Sequence, residues 1–300
     1  MHSISKPMSA GAAADYYEKT GKEEYYLAEK GVFHGKLADG LHLEEKEVSR
    51  DDFMALLDGK DPTTGKQLVE ASRSNDERRA GWDLTFSAPK SVSLLALEDP
   101  RLKEAHDQAV KETMALVESR YAISRVADGA GGKVQVNTGN LAYASFVHHS
   151  SRVQDPQLHT HNFVMNITEI GNGKYGALEL RELHKGQKAV GQEYRSILAE
   201  KAKELGYGIE VTNRKDGLFE IKGVDKEVIQ EFSGRRQAIE KRVAELRASG
   251  EYPDASHARL HEIANIQTRP AKAPADAAEL RKDWDARTMG VAGKTFAQIK

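Results

Sequence analysis

Four of the 11 histidines fall in one stretch, FVHHSSRVQDPQLHTHNFVMN, and three of them, at positions 148, 159 and 161, form a candidate set. His159 and His161 are two residues apart, so on an extended strand they project from the same face. His148 closes a preceding run that reads as a strand over 141–149. The loop 150–158 lets the two strands pair antiparallel, which brings the imidazoles of His148, His159 and His161 to one point on a sheet. Neutral imidazoles with open positions suit a divalent metal acting as a Lewis acid. His149 alternates to the opposite face and is left out of the set. The chain has no cysteine, so a metal must be held by histidine or carboxylate.

A second cluster is phenolic. Four of the ten tyrosines, Tyr16, Tyr17, Tyr25 and Tyr26, lie within eleven residues. A phenol, with a pKa of about 10, is a poor nucleophile at neutral pH. A metal that neutralises phosphate charge, with a base nearby, makes its attack on phosphorus feasible. The alternative is that these rings are packing or interface aromatics. Their neighbours Asp15, Glu18, Lys19, Lys22, Glu23 and Glu24 are too polar for a core segment. Asp83 is the third candidate. It shares a strand face with Thr85 and Ser87 and opposes Leu84 and Phe86. Such a carboxylate orients a metal-binding imidazole, takes the tyrosine proton, or is a plain surface residue.

The elements that must position these groups follow from periodicity. A short helix over 51–58 ends at Gly59, and the polar stretch 60–80, with Arg73, Arg78 and Arg79, reads as an exposed loop. GWDLTFS (81–87) alternates like a strand, and Pro89 suits a helix start before Val92, Leu94, Leu95 and Leu97. Residues 101–120 carry apolar side chains at helical spacing, and Gly129, Gly131 and Gly132 mark a turn. Strands over 133–138 and 141–149 are expected to form a hairpin across Gly139-Asn140. A third strand over 159–168 precedes the turn Gly171-Asn172-Gly173. A long amphipathic helix, 183–205, is closed by Gly206, and 207–222 resembles a hairpin around Asp216-Gly217. Beyond 225 the pattern is helical and charged, broken by Pro253, Pro270 and Pro274. The fold class is α+β with an α-helical C-terminal extension.

Composition narrows the setting. Hydrophobic residues at 39% supply a core and 30% charged residues a well-solvated surface. No apolar run approaches the ~18 residues of a membrane span, and Met1–Ala14 lacks a signal-peptide layout. A cytoplasmic protein without membrane insertion is expected. The net charge of −2 is unlike a nucleic-acid binder, but it is uneven. Residues 1–60 hold 8 basic and 12 acidic side chains, a net of −4, whereas 151–300 hold 25 and 22, a net of +3. Any DNA binding must therefore use a local groove.

GWDLTFSAPKSVS (81–93), GNLAYASFVHHSSRVQDPQLHTH (139–161) and YYEKTGKEEYY (16–26) together resemble the conjugative relaxases of the MobF type. These form the relaxase–helicase family within the HUH endonucleases. The resemblance runs to FSGRRQAIEKRV (232–243) and weakens after about 250. It implies an antiparallel-sheet palm over 1–225, flanked by helices. A helical fingers region over 226–300 would help clamp DNA and begin a linker to a downstream helicase. His148, His159 and His161 would hold one divalent ion of Mg, Mn or Zn type. Tyr16, from the Tyr16–Tyr17 pair, would be the primary nucleophile, Tyr25 or Tyr26 would serve a second strand transfer, and Asp83 would stand behind the histidines. The middle residue of the HUH motif is Thr160 rather than a large hydrophobe.

By the same resemblance the chain would nick single-stranded origin-of-transfer DNA beside a hairpin, leaving a 5′-phosphotyrosine, and religate it after plasmid transfer. It would act as a monomer in the bacterial donor cell, be transferred with the DNA, and meet relaxosome accessory proteins and a type IV secretion coupling protein. DNA contacts are expected from Arg73, Arg78, Arg79, Lys90, Arg152 and Lys185, with Lys90 at a helix start suited to a phosphate. TMGVAGKT (288–295) ends like a P-loop, but Thr288 replaces its first glycine and no apolar strand precedes it. It fits the seam before a helicase better than a nucleotide site. Two other classes use part of the same residues: a small-molecule metallohydrolase, and a DNA-binding module that does not cut.

Overall fold

The computed structural model describes residues 2–21, 30–69, 78–270 and 276–299, without the side chains of 16–21 and 277. Two short strands, β1 (His2–Ile4) and β2 (Met8–Ser9), lead into α1 (Ala10–Gly21), whose backbone carries Tyr16 and Tyr17. β3 (Val32–His34), α2 (Lys36–Gly40) and α3 (Arg50–Leu57) follow. Ser49 starts α3 by accepting a hydrogen bond from the Asp52 amide, and Asp51 and Asp52 complement the positive end of the helix. β4 (Arg79–Ser87) then passes through Pro89 into α4 (Lys90–Leu95) and α5 (Pro100–Tyr121). Asp99 caps α5 by accepting from the Arg101 amide, and Pro100 sits in the first turn, where its missing N–H removes no helical bond.

Six strands come next: β5 (Ile123–Ala127), β6 (Lys133–Asn137), β7 (Tyr143–Ser150), β8 (Pro156–Met165), β9 (Thr168–Gly171) and β10 (Lys174–Gly176). The helix α6 (Arg181–Glu204) stops before Gly206, which adopts φ +93°, a region only glycine enters freely. β11 (Ile209–Asn213) and β12 (Leu218–Ile221) form the expected hairpin. The chain then turns helical, with α7 (Lys226–Glu231), α8 (Gly234–Ser249), α9 (His257–Gln267), α10 (Ala277–Ala292) and α11 (Phe296–Ile299).

The main sheet is antiparallel, in the order β1-β4-β8-β7-β3, with β2 also on β4. β8 is therefore bonded along both edges. Strand alternation divides the sheet into two faces. Phe163 and Met165 of β8, Ala144 and Phe146 of β7, Ala80 of β4 and Phe33 of β3 pack under α1, α2 and α3. Phe53 of α3 anchors this layer, with its ring 6.3 Å from Phe146 and 5.4 Å from Phe163. Truncating such a buried ring to alanine costs on the order of 3–5 kcal/mol. The opposite face, with Trp82, Leu84, Phe86, Tyr143, Leu158 and Val164, packs on α4, α5 and α6.

Three sequence expectations change. The hairpin across Gly139-Asn140 does not form. β6 instead pairs with β5 across the Gly129–Gly132 turn, and β7 pairs with β8 and β3. Gly139-Asn140 resembles a hairpin turn, but Asn140 bonds to Thr168 and Glu169 and so joins different layers. Second, the end of the supposed exposed loop is structured: Arg79 opens β4 and Arg78 is buried. Third, the C-terminal helices are not uniformly an appendage. Leu280 and Trp284 of α10 and Phe296 and Ile299 of α11 join the core of α4–α6, whereas α8 and α9 build a small core of their own around Val243, Leu246, Leu260 and Ala264. TMGVAGKT is the end of α10, stopped by Gly293 in the left-handed region, rather than a strand–loop–helix phosphate cradle. No helix among the described residues is long and apolar enough to cross a membrane.

Candidate metal centre and its cleft

Toward one end of the sheet, the face that buries phenylalanines elsewhere carries histidines. Along β8 the residues on this face run His159, His161, Phe163, Met165, and along β7 they run Ala144, Phe146, His148. His148 stands directly opposite His159 in the ladder. The three ring centroids are 5.1–5.3 Å apart. One nitrogen from each of His148, His159 and His161 lies within 4.8 Å of the others. Beyond His159 the register shifts, so that Gln157 and Leu158 of β8 face the single residue His149 of β7. This bulge bends the strand at the edge of the site, a common use of the motif.

Each β8 ring is fixed through its far nitrogen. His161 Nδ1 donates to Asp83 Oδ2 at 2.7 Å, and Thr85, its ladder partner on β4, donates from Oγ1 to the same carboxylate oxygen at 3.2 Å. Asp83 is in turn held by its strand: its amide donates to Ser5 Oγ at 2.9 Å. His159 Nδ1 donates to the Gln157 carbonyl at 2.8 Å. With both Nδ1 protons committed, Nε2 of each ring is left as a lone-pair donor. Burial, and then the neighbouring His161, push the His159 pKa down to about 3, so this imidazole is neutral near pH 7. Three close imidazoles, two of them oriented from behind and one of these backed by a carboxylate, fit a single divalent ion.

The site opens into a cleft of about 730 Å³. Ser3, Ser5 and Met8 form one wall, and Met8 lies just ahead of α1. Arg152, from the β7–β8 turn, lines another, with Arg235, Asn265 and Arg269 from the α8–α9 region. Asp83 is the one acidic residue among the described lining. Behind β8, facing away from the cleft, Thr160 Oγ1 lies 2.8 Å from His106 Nε2, and His106 Nδ1 lies 2.6 Å from the Tyr194 hydroxyl. The small hydroxyl residue between the ligand histidines thus ties β8 to α5 and α6.

The sequence candidates meet different fates. His148, His159, His161, Asp83 and Arg152 come together in the cleft. Tyr16 and Tyr17 lie in the turn of α1 after the buried Ala13, and α1 packs on α3, β2 and β4. Tyr25, Tyr26 and Arg73 lie outside the described residues. Lys90 is turned inward: its Nζ donates to the Pro156 carbonyl at 2.6 Å, and burial lowers its pKa to about 8. The anion at the start of α4 is the protein's own Glu220 carboxylate, bonded by the Ser91 amide and hydroxyl at 2.8 and 2.5 Å. Arg78 is buried with Nη2 3.5 Å from the Asn166 carbonyl, so it serves the fold. Arg79 lines a separate cleft with Arg125, Lys133, Arg181 and His184, while the exposed Lys185 pairs with Glu182 at 2.7 Å. Sequence reasoning did not place Arg235, Arg269 and Asn265 in this cleft. Arg235 stands inside a string used for the resemblance, but nothing local separates it from a solvated helix face.

The family model described as TrwC relaxase matches residues 10–291. The chain belongs to the TrwC relaxase family. TrwC-family relaxases are DNA-nicking and strand-transferring enzymes, and the fold and the histidine triad found here agree with that membership. The multifunctional conjugation protein TraI of Escherichia coli (strain K12) is 37% identical over 297 residues, which cover 95% of this chain. A second Escherichia coli TraI is likewise 37% identical over 297 residues. The chain spans 16% of the length of these relatives. A metal-bound structure of the conjugative relaxase TrwC with oriT DNA superposes with a TM-score of 0.83 at 34% identity, covering 99% of this chain and 100% of that one. TrwC bound to a 27-mer DNA comprising the recognition hairpin and the cleavage site gives a TM-score of 0.83 at 32% identity, covering 99% of this chain and 100% of that one.

Proposed function

We propose that this chain is the relaxase unit of a conjugation protein: a site- and strand-specific, metal-dependent enzyme that nicks single-stranded origin-of-transfer DNA and later rejoins it. The observation that carries this reading is the convergence of His148, His159 and His161, with Asp83 behind His161, in a cationic cleft bordered by the segment leading into the tyrosine helix. His148, His159 and His161 would hold a divalent ion, which would supply Lewis-acid stabilisation of the charge on the scissile phosphate.

The protein's own groups do the rest. Tyr16 is the nucleophile: its phenolic oxygen bonds to phosphorus as it loses its proton. The bond from phosphorus to the 3′ oxygen breaks in line, and that oxygen leaves as a 3′-hydroxyl after gaining a proton. The 5′-phosphotyrosine keeps the energy of the broken ester for religation. Asp83 holds His161 in the ligand orientation. Tyr17 stands beside Tyr16 on α1, and Tyr25 or Tyr26 supplies the second nucleophile once Tyr16 is esterified. Arg152 adds positive charge beside the reacting phosphate, and the cleft of Arg79, Arg125, Lys133 and Arg181, with Lys185 nearby, takes the hairpin arm of the origin. The substrate is the kind of DNA seen with TrwC, a recognition hairpin next to a cleavage site. The chain works as a monomer in the donor cytoplasm, with relaxosome accessory proteins and a secretion coupling protein as partners.

The test is an adduct trap. Labelled single-stranded origin DNA, incubated with protein and a divalent ion, should yield a denaturation-resistant protein–DNA adduct that chelator prevents. A metallohydrolase would leave no adduct, and a pure binding module would retain DNA without cutting it. Either result overturns the reading.

A further inference from the structure

Two cations of the cleft lack a counter-charge among the described residues. Arg235 and Arg269 line it, and Asp83, the acidic member of the described lining, already accepts from His161 and Thr85. Among the described residues, neither Arg235 nor Arg269 forms an ion pair with a carboxylate. Arg235 bonds to neutral acceptors: Nη1 donates to Thr268 O and Oγ1 at 2.7 and 2.8 Å, and Nη2 to Asn265 O and Oδ1, both at 2.5 Å. These acceptors stand at the C-terminal end of α9, where carbonyls lack helical partners. The guanidinium is thereby locked in place with its charge intact. Arg269 is the next residue in the chain, and its charge, added to burial, lowers the Arg235 pKa. Two like charges kept together without a counter-charge favour an external anion.

The pair is also held to the metal strand. The Gly234 amide, just before Arg235, donates to Asp155 Oδ2 at 2.9 Å. Arg287 Nη2 of α10 reaches Asp155 Oδ1 at 3.0 Å, and Trp284 Nε1 donates to the Gln154 carbonyl at 2.7 Å. Asp155 immediately precedes β8, four residues ahead of His159. One carboxylate thus fixes the start of α8 to the start of the ligand strand.

We infer that Arg235 and Arg269 form a binding site for a backbone phosphodiester of single-stranded DNA adjoining the scissile one, and that Asp155 is the positioning residue that docks this site beside the metal centre. The inference rests on the relaxase reading and adds to it a specific pair of contacts from the C-terminal helices. Arg269 makes the contact with its exposed guanidinium, and Arg235 contributes a fixed charge.

The experiment uses the full chain in chelator, so that binding is read without cleavage. Affinity for a single-stranded origin oligonucleotide is measured by fluorescence anisotropy over a range of salt. Arg269→Gln and Arg235→Gln should each weaken binding roughly five- to tenfold and reduce the salt slope by about 0.7, the value for one phosphate contact on a single strand. Arg269→Lys should keep most of the affinity. A scan of neutral methylphosphonate linkages then locates the contact. At one linkage the substitution should weaken wild-type binding but leave Arg269→Gln unaffected. Asp155→Asn should lose sensitivity at that same linkage without touching DNA itself. If the wild type forms the covalent adduct but the losses multiply at every linkage, the arginine pair is wrong and the relaxase reading stands. If Asp155→Asn keeps full sensitivity, its positioning role is wrong. A wild type with no affinity for the origin strand overturns both inference and reading.

Discussion

The hydroxyl of Thr160 lies 2.8 Å from Nε2 of the buried His106, on the side of β8 that faces away from the metal centre. The residue between the two ligand histidines is therefore a fastening point. Thr160→Val leaves His106 Nε2 without its partner in a dry layer, which costs about 1–3 kcal/mol. Thr160→Ser keeps the bond and should cost well under half of that. Denaturant unfolding of the metal-free protein reads both. Equal stability of the two variants would remove this contact from the account of how β8 is held.

The Asp83–His161 hydrogen bond predicts an effect on metal retention. Asp83→Ala removes the acceptor of the His161 Nδ1 proton and should weaken metal affinity roughly ten- to a hundredfold, with a lower cleavage rate at subsaturating metal. Calorimetric metal titration checks the first effect and single-turnover nicking the second. Unchanged metal affinity with slow cleavage would instead make Asp83 the proton acceptor.

Tyr16→Phe keeps the ring and deletes the hydroxyl, so it should abolish the covalent adduct on a simple origin oligonucleotide. The double variant Tyr25→Phe/Tyr26→Phe should leave that first cleavage nearly intact and impair strand transfer from a preformed adduct. Peptide mapping by mass spectrometry identifies the esterified residue. DNA found on Tyr25 or Tyr26, with Tyr16 and Tyr17 free, reverses the order of use.

Acid should destabilise the fold through buried imidazoles. Burial holds the His106 pKa at about 3 and the His2 pKa at about 4. A base whose pKa falls on folding is neutral in the native state and takes up its proton on unfolding, below about pH 6.5. Stability should be level just above that pH and fall as pH drops through the window from about 6.5 to 4, with a slope approaching ~1.4 kcal/mol per pH unit for each histidine. Unfolding titrations across this range read the slope, and His106→Gln should make it shallower. A flat profile in both proteins would contradict the burial argument.

What could be read in advance was whatever alternation alone decides. His159, His161, Asp83 and Thr85 sit on strands long enough to show their period, and their shared face follows from it. β1, β2 and β3 have two or three residues each and show no period, so half of the sheet's strands were invisible. Lys90 and Arg78 looked like DNA contacts because their partners, Pro156 and Asn166, are 66 and 88 residues away. Gly139-Asn140 carries the local signal of a tight turn, but the strand pairing on either side is decided by β5 and β8. Arg235 could be recognised only once Asp155 and α9 were seen to place it.

The position of β8 at the centre of the sheet has a consequence for which parts of the enzyme can adjust. Its amides and carbonyls are engaged with β4 on one side and β7 on the other. Opening β8 requires breaking both ladders, so His159 and His161 should be among the last amides to exchange with deuterated solvent. The electrophilic centre is built on the slowest-breathing part of the molecule. The tyrosine helix follows the two-residue β2 and packs on α3 and β4, and the start of α8, just ahead of Arg235, is held to β8 through one carboxylate on a turn. The proposed use of first one strand and then another would call for rearrangement at those attachments while the ligand geometry stays fixed.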